Sequence, residues 1–269
     1  MGGLLLLLPR QSYEKSRRLA KAFRRPYLPC MTQTQPHPAA PDESAPLYTG
    51  RPSAETLDYL LRRRSLPLKQ MGGPGPSRAQ VETMLCAAMR VPDHGKMFPW
   101  YFIVLEGEAR AEAGKLLAAA WREEQPQQAE PAKLDLEAER FLRAPCVVIA
   151  VSHVREGKKP QWEQVLSGGA SCFSLCLAAN ALGFGTNWLT EWYSYSPAFA
   201  RALGLAAQDR IAGCIYIGTA LEAPEERPRP DPAALTTFWQ PGAALNTGPD
   251  YGHPGMGFPR AGYKFMEEG

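Results

Sequence analysis

The stretch "WEQVLSGGASCFSLCLAANALG", residues 162–183, constrains the fold more than any other part of the chain. It reads as one long helix closed by Gly183 at the position after the cap, where a left-handed residue is favoured. Because it is apolar almost all round, it is expected to be buried on more than one side. Two short apolar runs, "WYFIVL" from Trp100 and "CVVIAVS" from Cys146, are rich in aromatic and β-branched residues and read as buried strands.

Ser53 is a plausible N-cap for a short helix that carries Leu57, Tyr59, Leu60 and Leu61 and ends in "RRRS". The turn cluster "GGPGPS" leads into a second helix over 78–90, with Ser77 and Gln80 spaced as a capping box and Pro92 stopping it. Helices are expected over 108–121 and 134–142, with "REEQPQQAEPAK" as an exposed connection between them. "GTNWLTEW" reads as a strand running into a loop, "PAFARALGL" as a short helix and "IAGCIYIGTA" as a last strand. This order describes a mixed α/β or α+β sandwich without internal repeats. The folded domain is expected over 54–239, after a flexible leader (1–53) that is first basic and then Pro-rich. A tail rich in Gly, Pro and aromatic residues follows over 240–269, expected to be disordered or to wrap a partner subunit.

The net charge of +3 conceals an asymmetry, because the first thirty residues carry seven Lys/Arg against the single Glu14. Everything beyond them is mildly acidic, which argues against nucleic acid as a partner. The five leucines near the start form too short a run for a signal sequence, have no basic residues before them and indicate no membrane span. A mis-assigned start with Met31 as the true one, a basic arm and a weak amphipathic membrane contact all remain open for this segment. Cys86, Cys146, Cys172, Cys176 and Cys214 fall in apolar periodic segments and read as small hydrophobes, with Cys172 and Cys176 on one helical face. No zinc set emerges, and a reducing cytoplasm is the expected setting.

Arg62, Arg63 and Arg64 followed by Ser65 supply guanidinium forks and a hydroxyl, the groups a phosphate monoester requires. The alternative is a cationic last turn that complements the helix dipole and needs no ligand. The loop "MRVPDHGKMFPW" offers Arg90 and His94, with Asp93 able to accept turn bonds. "GFGTNWLT" follows a helix and precedes a strand, the reverse of the dinucleotide-binding order, so that reading is rejected. His153 follows the second strand and is expected at the surface; His37 and His253 lie in the leader and tail. No nucleophile elbow, P-loop, metalloprotease helix or paired carboxylates in a plausible cleft emerges. Anion-binding groups without a nucleophile or metal point to a phosphate-bearing cofactor that carries the chemistry.

Taken in order, "LLRRRS", "AAMRVPDHGKMFPWYFIVLEGE", "PQWEQVLSGGASCFSLCLAANALGFGTNWLT" and "AGCIYIGTA" resemble the nitroreductase family, in particular its small YdjA-like NAD(P)H nitroreductases. The resemblance implies an α+β fold with a mixed, mainly antiparallel central sheet flanked by helices, built as an intertwined homodimer with FMN at the subunit interface. It assigns Arg63, Arg64 and Ser65 to the FMN phosphate and ribityl end, and Arg90 and His94 to the flavin of the partner chain. Trp188, Leu189 and Thr190 would lie along the isoalloxazine, and Ala178, Ala179, Asn180, Ala181, Leu182 and Gly183 match the stretch given to NAD(P)H. No side chain is expected to be catalytic, since hydride passes from NADH or NADPH to flavin N5 and on to a small electron-poor acceptor in a ping-pong cycle. A flavin sensor or storage protein, or an enzyme that consumes flavin, are the alternatives. The chain departs from its relatives where they commonly carry a basic residue three positions after the RRS motif. Leu68 stands there, leaving Lys69 or Lys96 as the cation for the flavin N1/O2 edge, and Phe98 replaces a polar residue before "PW".

Overall fold

The computed structural model describes residues 41, 44, 47–48 and 50–249. The basic leader with Cys30 and His37, and the tail aromatics Tyr251, Phe258, Tyr263 and Phe265 with His253, lie outside the described residues. Helix α1 (Ala54–Arg62) starts on Ser53, whose hydroxyl accepts from the Thr56 backbone N–H. Strand β1 (Met71–Gly72) and helix α2 (Arg78–Ala88) follow, and both halves of the Ser77/Gln80 capping box form. Then come β2 (Trp100–Glu106), α3 (Ala109–Glu124), α4 (Pro131–Ala138) and β3 (Cys146–Ser152). The chain continues through α5 (Gln161–Ala181), β4 (Gly185–Leu189), α6 (Pro197–Ala202) and β5 (Arg210–Ala220).

The expected helices are all present, with ends moved by a few residues. The helix expected over 134–142 is split into α4 and a 3-10 turn at Arg140–Arg143. Strand β1 was not expected, since two residues show no periodicity; it is held by pairing Met71 with Ala220 and Gly72 with Thr219.

Every strand pairing among the described residues is antiparallel, so the sheet is more uniform than the mixed one expected. Strand β5 is its centre, flanked by β3 and then β2 on one edge and by β4 and β1 in tandem on the other. Strand β3 is buried along its whole length, and its side chains alternate between two cores, as a period of two requires. Val147, Ile149 and Val151 meet Leu117 of α3, Phe141, Tyr193 and Phe199 on one face. Cys146, Val148 and Ala150 meet Val81 and Met84 of α2 and Cys172, Leu175 and Ala179 of α5 on the other. The described cysteines are free, and burial pushes Cys146 and Cys172 up to about 12 and Cys176 up to about 11, which keeps them as thiols. No described helix is long and apolar enough to cross a membrane.

One expectation fails in an informative way. Helix α5 is buried along a single stripe, Gln164, Ser167/Gly168, Ser171/Cys172, Leu175/Cys176 and Ala179. Its opposite face leaves Leu166 at 52% and Phe173 at 42% exposure. Helix α1 buries no residue at all, with Leu57, Leu60 and Leu61 open to solvent. Both helices thus present apolar side chains that the rest of the described chain does not cover.

Candidate functional site

The RRRS segment separates into unlike arginines. Arg62 is exposed and paired with Asp58 one turn earlier. Arg63 is half-buried as the C-cap of α1; its Nε is buried without a hydrogen-bond partner, and its guanidinium lies 5.6 Å from the centre of the Phe173 ring. Neither Arg63 nor Arg64 forms an ion pair within the described residues, and the hydroxyl-bearing Ser65 between them and Leu66 is exposed. Leu66 anchors this corner: it is buried, its N–H donates to the Thr186 carbonyl at 2.8 Å, and its own carbonyl accepts from Asn187 Nδ2 at 2.9 Å. A dipole cap would not need a buried, unsatisfied guanidinium nitrogen.

The loop after α2 is wound tightly. Gly95, Lys96 and Phe98 have φ of 81°, 54° and 47°, and the latter two are strained positions for side-chain-bearing residues. Asp93 holds the turn by accepting the backbone N–H groups of Met97 (3.1 Å) and Phe98 (2.8 Å). His94 packs on the start of α5, with Nδ1 2.6 Å from Glu163 Oε2 and Nε2 2.8 Å from Lys159 Nζ. An ammonium can only donate, so Nε2 accepts and the ring proton sits on Nδ1, donating to Glu163. Ser167 Oγ donates to the Pro92 carbonyl at 2.8 Å and ties the loop to the same helix. Arg90 is exposed beside it, and Phe98 presents an exposed ring edge-on to Trp100.

Helix α5 therefore carries two separate groups. Arg63 lies at Phe173 and His94 at Glu163, ten residues apart, which is roughly 15 Å along a helix. Within one chain the Arg63–Ser65 and Arg90–His94 groups do not converge.

Trp188 lies across the bare Gly213, where a Cβ would sit 1.9 Å from its indole nitrogen. The indole donates instead to the Ala212 carbonyl at 3.1 Å. The register of β3 against β5 shifts beside this point, between Ala150 and Val151, and such irregularities redirect the strand's groups. Leu189 packs at the edge of the core and Thr190 is exposed at the end of β4. The next residue, Glu191, was missed in the sequence. Its carboxylate accepts from Arg140 Nη1 (2.9 Å) and from Arg143 Nη1 (3.1 Å) and Nη2 (2.7 Å), and so fixes the turn after β4. Only the fold reveals it, because the arginines lie about fifty residues upstream.

Ala178–Gly183 is occupied with structural work. Ala179 is fully buried, and Gly183 at φ 90° ends the helix while Phe184 N–H returns to the Ala179 carbonyl at 3.0 Å. Asn180 Nδ2 ties the turn to the Phe184 carbonyl and Thr186 Oγ1. Ala178 and Leu182 pack at the edge of the core, and Ala181 is exposed. Leu68 likewise packs against the core, while Lys69 and Lys96 are both exposed. His153, expected at the surface, is half-buried: Nδ1 lies 2.6 Å from Asp209 Oδ1 and the ring meets Tyr101 edge-on.

Known proteins provide the frame for this geometry. The family model described as "Nitroreductase family" matches residues 63–219. The Escherichia coli (strain K12) protein "Putative NAD(P)H nitroreductase YdjA" is 34% identical over 193 residues, covering 69% of this chain and 100% of the relative. A Haemophilus influenzae protein, "Putative NAD(P)H nitroreductase", is 36% identical over 184 residues, covering 65% and 94%. Among solved structures, a nitroreductase-like protein of Bacillus cereus superposes with a TM-score of 0.62 at 20% identity, covering 71% of this chain and 99% of that one. One from Desulfovibrio desulfuricans, "a putative nitroreductase in complex with fmn", gives 0.55 at 21% identity, covering 70% and 99%. The structural likenesses speak for the fold, and the family match with relatives covered over nearly their whole length settles descent: the chain belongs to the nitroreductase family.

Proposed function

We propose that the protein is an FMN-dependent NAD(P)H oxidoreductase that reduces nitro compounds, quinones or similar electron-poor acceptors, working as a homodimer with its flavin sites between subunits. The observation that carries this reading is the Arg63 nitrogen, buried and unpartnered beside an unpaired Arg64 and an exposed Ser65. Such a set fits a phosphate monoester, which can take bidentate guanidinium contacts and a hydroxyl donor together. FMN, when bound, supplies hydride transfer at N5.

The chain's own residues do the rest. Arg63 and Arg64 hold the phosphate, and the stacked Phe173 keeps the Arg63 fork in place. Glu191, clamped by Arg140 and Arg143, fixes the turn that presents Leu189 and Thr190 to the flavin. Arg90 and His94 belong to a second flavin, on the partner, which accords with their separation from Arg63 along α5. His94 is oriented for that role by Glu163 and Lys159. The open faces of α1 and α5 would pack in the dimer. Ala178–Gly183 would shape the nicotinamide side through its turn rather than through side chains.

Two relatives carry NAD(P)H nitroreductase names and one solved neighbour holds FMN, which supports the same reading. Replacing Arg63 and Arg64 together by Ala is expected to weaken FMN binding by about a hundredfold or more, two charge-assisted contacts being lost. Flavin fluorescence on dilution measures this. Unchanged retention returns both arginines to helix capping, and a purified protein that is colourless and takes up no FMN overturns the function. Anaerobic mixing with NADH and NADPH then separates a reductase from a flavin store, whose flavin would stay oxidised.

A further inference from the structure

Two loops, the one after α2 and the one that leads into α5, lock together at the start of α5. Gly95 of the first lies against the stem of Lys159, where a Cβ would come within 2.6 Å of Lys159 Cε, and Gly157 of the second lies against Met97, where a Cβ would come within 3.1 Å of its methyl group. Each loop leaves a bare position for the other's side chain. Gln164, buried on α5, ties the second loop to the helix: its Oε1 accepts the Arg155 N–H at 2.9 Å, and its Nε2 donates to the carbonyls of Arg155 (3.0 Å) and Lys159 (3.4 Å). The stem of Lys159 therefore has a fixed course.

That course ends at His94. The imidazole gives its one N–H to Glu163 and its one lone pair to the Lys159 ammonium at 2.8 Å, so neither ring nitrogen has a hydrogen bond left for a flavin. The ammonium is in the opposite position. It carries three N–H groups, spends one on His94 and belongs to no ion pair among the described residues. Of the carboxylates at this corner, Glu163 serves the imidazole and Asp93 the backbone of its own loop. Lys159 is thus half-buried, held in place and still able to donate.

We propose that Lys159 binds the phosphate of the FMN on the partner subunit, and that His94 is the residue that positions it. The inference rests on the flavin reading above and adds to it a residue that no motif in the sequence marks. In a two-fold dimer one surface meets its own copy. The uncovered face of α5 carries Leu166 towards its start and Phe173 further on, so antiparallel contact through that face sets Leu166 near Phe173 of the partner subunit. Arg63 stands at Phe173 and the His94–Lys159 pair at Glu163, and the same contact brings Lys159 towards Arg63 of the partner subunit. That arginine is the one given to the phosphate. A phosphate monoester offers three acceptor oxygens, room for an ammonium as a point charge beside guanidinium forks.

The test is fluorescence titration of the full chain with FMN and, separately, with riboflavin, which lacks the phosphate. Lys159→Met is expected to lower FMN affinity about tenfold or more, as for one lost charge-assisted contact, and to leave riboflavin affinity within about twofold. Lys158→Met, the same change of charge on the exposed neighbour, should alter FMN affinity by less than about twofold. His94→Leu should cost as much as Lys159→Met, and His94→Gln, which keeps an acceptor for the ammonium and a donor for Glu163, should recover most of the loss. The double variant His94→Leu/Lys159→Met should be no worse than either change alone, since both remove one contact. Circular dichroism and the riboflavin titration check that the variants fold. Unchanged FMN affinity in Lys159→Met, an equal loss for riboflavin, an equal effect of Lys158→Met or additive losses in the double variant would each overturn the proposal. A parent protein that takes up no FMN overturns the flavin reading and the proposal with it, whereas a failure confined to the variants overturns the proposal alone.

Discussion

The two faces of the sheet are finished to different degrees. On the face covered by α3, α4 and α6 the core is closed around Phe141, Tyr193, Phe199 and Tyr216, and a polar network runs through it beside a buried Ser194 Oγ that has no hydrogen-bond partner among the described residues. Tyr193 and Tyr216 share a hydroxyl contact of 2.8 Å, Arg143 donates to Tyr216 at 2.9 Å, and Glu191 joins Arg143 to Arg140. On the face covered by α2 and α5 the inner layer is equally dry, but the outer one is missing: α5 turns Leu166 and Phe173 outward and α1 exposes its leucines. Arg63 Nε and Ser152 Oγ, both buried and unpaired, belong to this unfinished side. One face is closed by the chain itself; the other leaves apolar side chains uncovered among the described residues.

The closed face should therefore show the largest effect on stability of the single chain. Glu137 has no exposure, yet it is ionised. Burial alone would raise its pKa, but hydrogen bonds from Arg140, Lys133 and Trp192 outweigh that and hold it at about 2. Glu137→Ala removes the carboxylate shared by Arg140, Lys133 and the Trp192 indole and is expected to cost about 3 kcal/mol, the low end for breaking a buried pair because Arg140 keeps Glu191. Urea denaturation at neutral pH measures it. A cost below about 1 kcal/mol would mean that the network is ornamental and that hydrophobic packing alone closes this face.

The open face should behave in the opposite way. Leu57 and Leu61 are 61% and 77% exposed, so Leu57→Asp with Leu61→Asp should change single-chain stability by less than about 1 kcal/mol. If α1 packs on a second copy, the same change should weaken self-association by at least about tenfold through desolvated charge at the contact. Sedimentation over a concentration series reads the second effect and denaturation at high dilution the first. An unaltered association constant would remove α1 from the interface and leave its leucines unexplained.

The same contrast explains what the sequence made legible. Periodicity located the strands and helices of both faces, because alternation in β3 and the capping signals at Ser53, Ser77 and Gly183 are local. The RRRS segment and the loop with His94 are legible because a run of three arginines before a serine, and a rare histidine beside Arg90 and Pro92, are local features of composition. What stayed hidden depends on long-range contact. Glu191 meets Arg140 and Arg143 from about fifty residues away, and Asp209 meets His153 and Tyr101 across strands. The all-round apolar pattern of α5 predicts burial on more than one side, whereas within the described chain only one stripe is buried. Hydropathy records that a face is covered, not whose atoms cover it.

The smallest predicted effect contrasts two depressed carboxylates. Burial would raise Asp209, but hydrogen bonds from Tyr101 and His153 and the Ala206 N–H hold it below its ordinary value of 3.8, as those of Glu137 hold it below 4.5. A carboxylate whose folded pKa is depressed contributes stability that is present above its unfolded pKa and is lost as pH falls through the folded one. The protein should therefore lose stability as the pH falls from about 4.5 towards about 2, with Glu137 as the main contributor. Asp209→Asn keeps an acceptor for Tyr101 and should cost about 1 kcal/mol at neutral pH, with the difference from the parent shrinking as the acid range is entered. Denaturation midpoints measured across the acid range test this. A gap that stays constant with pH would show that Asp209 holds Tyr101, His153 and the Ala206 N–H through shape alone, and that its charge adds nothing.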